Sequence, residues 1–479
     1  MTRLVVVGGG IAGLAAAWFA AEAGLDVTVL EAAPRVGGKL RVEEVGGVPV
    51  DVGAEALLTA RPEGLDLLAA AGLADERISP LTTSARVWAG GTTHPLPART
   101  MMGIPGDVEA LRESGALSDT ALQTVAEEPS LPPLPPLRRD VPVGSLVRYR
   151  MGDEVADRLV EPLLGGVYAG SADVLSLRAT MPTLADRLAQ GGSLLEIARA
   201  VTGAGGTRAP GADPGRPVVP VFASLRGGLG RLPATLVATG RFAVRTGVTV
   251  RTINRSAAGF TLDCGAVPQA ERIEADAVIV AVPAAKAARL LAGVAPAAGD
   301  ELGAIESASM AIVSFALDGD ADEAGIPAGS GLLIGAGERF ATKAVTLTSR
   351  KWPVDADGRT VLRASVGRHG EPHALQLGDA DLVEIVRRDL GVLLGDADTP
   401  RELRPVDAVV TRWGGGLPQY AVGHVERIAR VRAAIAGVPG LAACGAAFDG
   451  VGVPACIASA RSAVDLVAGS LSQARTMRP

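Results

Sequence analysis

Arg3-Leu4-Val5-Val6-Val7-Gly8-Gly9-Gly10-Ile11-Ala12-Gly13-Leu14 is the stretch that decides the fold. Arg3 to Val7 is an apolar, β-branched run without alternation, which predicts a short strand buried on both faces. Gly8 to Gly13 follows at once, and Leu14 to Ala23 reads as an alanine-rich helix. Val27-Thr28-Val29-Leu30 is the next strand, with Glu31 at its C-terminal end. A glycine turn between strand and helix, with an acid closing the second strand, is the dinucleotide fingerprint in its structural context. Gly8 allows the tight turn, Gly10 lets the backbone approach a pyrophosphate, and Gly13 lets helix and strand pack closely. The helix start adds free N–H groups and a partial positive charge, so Gly8, Gly9, Gly10, Ile11, Ala12 and Gly13 are candidate nucleotide contacts. Glu31 accepts hydrogen bonds from a ribose 2′-hydroxyl, and its charge repels a 2′-phosphate, which argues against NADP.

The residues that follow choose the cofactor. In Glu31-Ala32-Ala33-Pro34-Arg35-Val36-Gly37-Gly38-Lys39, adjacent glycines flanked by Arg35 and Lys39 form a second anion nest, for which a plain NAD domain has no need. The segment resembles the E-x-x-x-R-x-G-G-[KR] extension of the FAD-dependent amine-oxidase-like superfamily. Asp51-Val52-Gly53-Ala54-Glu55 is similar to that superfamily's D-x-G-x-[DE] segment, which runs beside the flavin ring. The resemblance implies FAD.

At 479 residues the chain has room for two or three domains and a substantial core. A net charge of −6 and the lack of a basic face argue against a nucleic-acid partner. Only Lys39, Lys286, Lys343 and Lys351 are lysines, so the many arginines reflect a compositional bias and are not each functional. Cys264, Cys444 and Cys456 have no metal-ligand spacing and read as buried hydrophobes in a reducing cytosol. Gly370 and Pro372 stand between His369 and His373, so no metal site is expected. Leu4 to Ala21 runs 18 residues without a charge, but the glycine triplet would break a membrane helix there. A soluble, cytoplasmic protein is expected.

Along the chain, Pro62 to Gly72 predicts a helix ending on a C-terminal glycine, and Arg86 to Leu96 a hairpin about Gly90-Gly91. From about Met101 to Thr202 the character is helical, interrupted by the proline-rich loop Ser130 to Leu137. Val143 to Arg150 and Asp153 to Leu164 read as short helices, and Gly203 to Pro220 as a mobile loop. Phe222 to Pro233 opens a new helix, and its G-x-G lacks the third glycine of a second nucleotide site. Val244 to Ile253 and Phe260 to Cys264 are strands, and Ala275 to Pro283 is a central strand of the first sheet. Ala311 to Leu317 and Thr360 to Val366 are further strands, and Asp379 to Leu394 a helix. Leu441 to Gly445, a glycine-rich turn and the helix Pro454 to Leu471 again aim a helix start at a ligand. The expected fold is α/β (α+β): a Rossmann-like FAD-binding domain (1–84, 221–295 and 426–479), a mixed-sheet substrate domain (85–99 and 296–425) and a helical insertion (100–220).

Over nearly its whole length the chain resembles the oxygen-dependent protoporphyrinogen/coproporphyrinogen oxidases of haem synthesis. Glu161-Pro162-Leu163-Leu164-Gly165-Gly166-Val167-Tyr168-Ala169-Gly170 with Leu175 to Thr180 is the most specific segment. Arg226 to Pro233, Ser349 to Pro353, Trp413 with Pro418-Gln419-Tyr420 and Gly423-His424, and Gly450 to Ile457 complete the match. The resemblance implies FAD contacts at Gly8 to Gly13, Glu31, Ala32, Lys39, Gly53, Ala54, Glu55, Ala56 and Val248. It places Trp413 and Gly450, Val451, Gly452 and Val453 beside the isoalloxazine, with Arg35 and Gly38 in the second turn. It further implies that the flavin takes the electrons, with no catalytic side chain and O₂ as acceptor. Propionate carboxylates need cations, and Arg61, Arg99 and Arg178 are the candidates, Arg99 with a local spacing that departs from the family form.

Coproporphyrinogen III is the expected substrate and protoporphyrinogen IX the alternative. An amine oxidase or carotenoid desaturase is disfavoured by the scarcity of lysine and tyrosine, and a non-catalytic porphyrin-binding flavoprotein stays open. In the family the insertion can serve membrane attachment, with which the proline-rich loop and Leu163-Leu164 are compatible. Docking to the next haem-synthesis enzyme is left open too.

Overall fold

The structure, a computed structural model, describes residues 2–205, 220–354, 357–395 and 399–476. Its centre is a parallel sheet of five strands in the spatial order Ala243–Arg245, Asp26–Leu30, Arg3–Val7, Ala277–Val280 and Leu441–Ala443. Numbered along the chain this is the order 3-2-1-4-5 of a dinucleotide fold. Arg3–Val7 is central, with Val6 beside both Val29 and Ile279. Leu4 and Val6 enter the core on one face, Val5 and Val7 the core on the other. That double burial explains why the run shows no alternation. One face carries the helices Ile11–Glu22 and Val453–Thr476, which pack on each other. The other carries the antiparallel meander Val250–Ser256, Gly259–Cys264, Glu271–Ala275 and the helices Ala284–Leu291, Pro296–Gly303 and His424–Ala436. The run Val244 to Ile253 is two strands, because Gly247 (φ +70°) turns the chain out of the parallel sheet and into the meander.

The second sheet has seven strands, in the order Asp407–Pro418, Ser307–Asp318, Arg359–Val366, Thr342–Thr346, Gly331–Ile334, Ala85–Ala89 and Thr92–Pro95. Leu382, Val386 and Leu390 of the helix Asp379–Leu393 pack on one face, against Val313, Phe315 and Leu362. The expected hairpin closes the edge, with φ of +62° and +84° at Gly90 and Gly91.

Residues 108–205 build a helical unit with its own core. Glu128 and Arg150, both buried, pair inside it, and Glu128 also accepts from Leu194 N and Leu195 N at the start of Leu194–Gly205. The helix expected over Asp153 to Leu164 runs on to Tyr168 through a π-turn at Ala156–Val160. Pro162 has no N–H to continue an α-helical ladder, and the wider turn accommodates that gap. Most of the loop expected from Gly203 to Pro220 lies outside the described residues. The three cysteines are free and buried. Among the described residues no helix is long and apolar enough to cross a membrane.

A carboxylate in the loop after Asp51 ties the cofactor side to the second sheet. Glu55 pairs with Lys351 Nζ at 2.6 Å and with Arg363 Nη1 at 2.5 Å, and Arg363 Nη2 also donates to Gly53 O at 2.7 Å. Burial alone would raise the Glu55 pKa, but the two cations outweigh it and bring it from 4.5 down to about 2. A lowered pKa means that the clamp contributes fully above pH 4.5 and is lost as the pH falls toward 2. Glu55→Gln removes the counter-charge of the buried Arg363 and the partly exposed Lys351 and is expected to cost about 3 kcal/mol in urea unfolding at pH 7. The gap to the wild type should close on acidification below pH 4.5. Equal stability at neutral pH would contradict the clamp.

Candidate cofactor and substrate site

The strand Arg3–Val7 ends on Gly8, whose φ of +111° turns the chain back toward the sheet. A Cβ on Gly13 would lie 1.8 Å from Gly8 O, so the helix can start this close only on glycine. Gly10 is the opposite case: a Cβ there meets nothing within 4 Å, which leaves an open cradle at the helix start. Gly10 caps the helix without a side chain, and no acid stands in its first turn. Its first N–H groups are therefore free for an anion.

The second glycine turn lies against the first, with Gly37 N donating to Gly9 O at 2.8 Å. Arg35 spans this turn through Val36 O and Gly38 O, both at 3.1 Å. Lys39 has no hydrogen bond or ion pair from its ammonium among the described residues. Burial lowers its pKa, and Cys456, in the first turn of the last helix, lies beside it. A desolvated cation without a counter-ion, beside the start of the last helix, fits the charge of a dinucleotide phosphate. Glu31 takes Gly9 N at 2.6 Å and Ala33 N at 2.7 Å on separate oxygens, and each oxygen keeps a lone pair. Val248 N donates to Glu31 O at 2.9 Å, which puts Val248 at the same end of the cradle. Ala32 is exposed next to it. The residues present fit FAD.

Downstream, Gly53 is wedged in place. A Cβ on it would fall 1.9 Å from Lys39 O and 3.3 Å from Trp413. Trp413 Nε1 donates to Val52 O at 2.9 Å, so the indole lies along the segment that leads to Ala54 and Ala56. Both carboxylate oxygens of Glu55 are taken by Lys351 and Arg363, and its backbone carbonyl accepts from Ser224 Oγ at 2.6 Å. Asp51 is likewise structural. It accepts from Leu229 N and Gly230 N, each at 2.8 Å, and burial pushes its pKa up to about 6 against those two bonds.

The turn before the last helix holds Gly450 (φ +134°), Val451, Gly452 and Val453, the last packed in the core beside the first helix. Tyr420 Oη donates to Ala446 O, and His424 Nε2 lies 2.9 Å from Ala447 O. Their rings stack at 4.1 Å. Burial lowers the His424 pKa to about 4, so the ring is neutral at pH 7 and its Nε2–H is the donor to that carbonyl. The sequence marked both residues as family signature without giving them work; in the fold they hold Ala446 and Ala447, in the loop that leads to Gly450.

The three candidate arginines part company. Arg61 is exposed beside Gly450 and has no ion pair or hydrogen bond among the described residues. Arg99 pairs with Asp107 at 3.1 Å, which caps the helix Val108–Ser114. Arg178 pairs with Glu426 at 2.9 Å and donates to Arg138 O at 2.8 Å. Those two have structural partners, and the structure does not bring them to the Gly450 turn. Sequence reasoning missed Arg363, whose partners are distant in the chain.

Comparison with known proteins agrees with this geometry. The family model for flavin containing amine oxidoreductases matches residues 11–468. The chain is 38% identical over 472 residues to the coproporphyrinogen III oxidase of Mycobacterium tuberculosis (strain ATCC 25618 / H37Rv), covering 97% of each chain. It is 32% identical over 480 residues to that of Bacillus subtilis (strain 168), covering 96% of this chain and 97% of the other. A solved structure from Exiguobacterium sp. 255-15, assigned as a protoporphyrinogen oxidase, superposes with a TM-score of 0.84 at 33% identity, covering 98% of this chain and 99% of that one. A nucleotide cradle built from two glycine turns, inside a chain that this family matches almost end to end, leads to one conclusion: the protein belongs to the flavin-containing amine oxidoreductases.

Proposed function

We propose that this protein is an FAD-dependent oxidase that converts coproporphyrinogen III to coproporphyrin III, a six-electron oxidation with O₂ as acceptor and H₂O₂ as product. The observation that carries the reading is the likeness, along almost the whole chain, to bacterial coproporphyrinogen III oxidases. When bound, FAD supplies the two-electron acceptor that O₂ regenerates. The chain's own part is binding and shape. Gly8 to Gly13, Glu31, Lys39 and Val248 hold the nucleotide. Gly53, Ala54, Ala56, Trp413 and Gly450 to Val453 form the walls against which the ring system lies. Tyr420 and His424 hold Ala446 and Ala447, in the loop that runs on to those last residues. No side chain is assigned to proton or electron transfer, since orientation and exclusion of water suffice for a flexible macrocycle that already carries the hydrogens to be lost. Arg61, an unpaired cation beside Gly450, takes a substrate propionate. The division into FAD-binding domain, substrate domain and helical insertion is part of the same proposal.

The test is turnover of each porphyrinogen by the FAD-loaded protein, read by porphyrin fluorescence. Coproporphyrinogen III should be the better substrate by kcat/KM, and efficient oxidation of protoporphyrinogen IX alone would overturn the assignment. Arg61→Ala is expected to raise KM for coproporphyrinogen III about tenfold with kcat little changed, as for loss of one charge-assisted contact. An unchanged KM would remove Arg61 from the site.

A further inference from the structure

Tyr168 closes the helix Glu161–Tyr168, and its ring sits 5.5 Å from that of Tyr420. The residue is 8% exposed, yet its hydroxyl has no hydrogen-bond partner among the described residues. Burial pushes its pKa up to about 12, and the Arg61 charge acts on it in the opposite direction, so the two groups are electrostatic neighbours. Arg61 Nη1 lies 3.9 Å from where a Cβ on Gly450 would stand, and Val451 packs against the same core that contains Tyr168. The carboxylate nearest in sequence to that turn, Asp449, is bound at both oxygens by Arg432, at 2.6 and 2.7 Å. Tyr168 and Arg61 are thus both without an acceptor among the described residues, Arg61 beside Gly450 and Tyr168 in the core against which Val451 packs.

We propose that Tyr168 is a specificity-determining residue whose hydroxyl, with the Arg61 guanidinium, holds one carboxylate of the substrate at the Gly450–Val453 turn. The assignment rests on the porphyrinogen oxidase reading and goes beyond it by naming a second donor. A carboxylate suits this pair because both groups are donors at neutral pH, one carrying the neutralising charge and the other adding a directed O–H. The ring of Tyr168 has a packing role in the helical core, and the hydroxyl is the part that packing does not use.

Tyr168→Phe keeps the ring and removes only the hydroxyl, which separates the two roles. In the FAD-loaded variant, KM for coproporphyrinogen III should rise about tenfold with kcat and FAD content unchanged. With the tetramethyl ester of the same porphyrinogen, which offers no carboxylate, the KM ratio of variant to wild type should return to one. In the Arg61→Ala background, Tyr168→Phe should add less than it does alone, because both groups serve one carboxylate. An unchanged KM on the free acid, or an equal loss on acid and ester, overturns the assignment. A wild type that oxidises neither compound overturns the functional reading itself, and this assignment with it.

Discussion

A largely buried carboxylate held between two cations is the strongest tie between the cofactor side of this molecule and its seven-stranded sheet. Glu55 belongs to the cofactor side, Lys351 and Arg363 to the seven-stranded sheet and the short helix beside it. Taking three charges out of water is costly, and their attraction repays this only when the geometry is right. Arg363 adds a bond to Gly53 O, so the clamp also fixes the backbone at the one residue squeezed between Lys39 O and Trp413. The position of the Gly53 segment relative to the glycine turns thus follows from electrostatics at Glu55 and from close contact at Gly53.

The far wall is held by a different kind of interaction. Tyr420 and the neutral His424 give their protons to the carbonyls of Ala446 and Ala447, and their stacked rings leave the turn little room to move. The last helix then follows that loop, packed on the first helix, and its first turn lies beside one desolvated ammonium, Lys39. A pyrophosphate is the natural complement of such a place. Chemistry resides in the cofactor, and the protein's contribution is a rigid frame with cations where the ligand has anions.

Much of this frame was legible in the chain because its signals are local. The first strand, glycine turn, helix and acid lie within the first 31 residues, and the parallel sheet follows from them. The roles of Lys351 and Arg363 were not legible, since their partner lies about 300 residues away and no local pattern announces it. Arg99 and Arg178 read from sequence like Arg61, because in an arginine-rich chain only the fold reveals which guanidinium already has a carboxylate. The π-turn at Ala156–Val160 was hidden because its cause, Pro162, is equally compatible with a helix that starts there. Tyr420 and His424 carried family resemblance but no visible task until the carbonyls of Ala446 and Ala447 were in place beside them.

An electron acceptor held in this cradle and reduced by a porphyrinogen is the centre of the proposed chemistry. Mixing the FAD-loaded protein with coproporphyrinogen III in the absence of O₂, and following flavin absorbance, tests that most directly. The flavin should bleach as porphyrin forms, and recover its yellow colour when O₂ is admitted. Porphyrin formation with the flavin still oxidised, or no reaction with a fully loaded protein, would contradict the account.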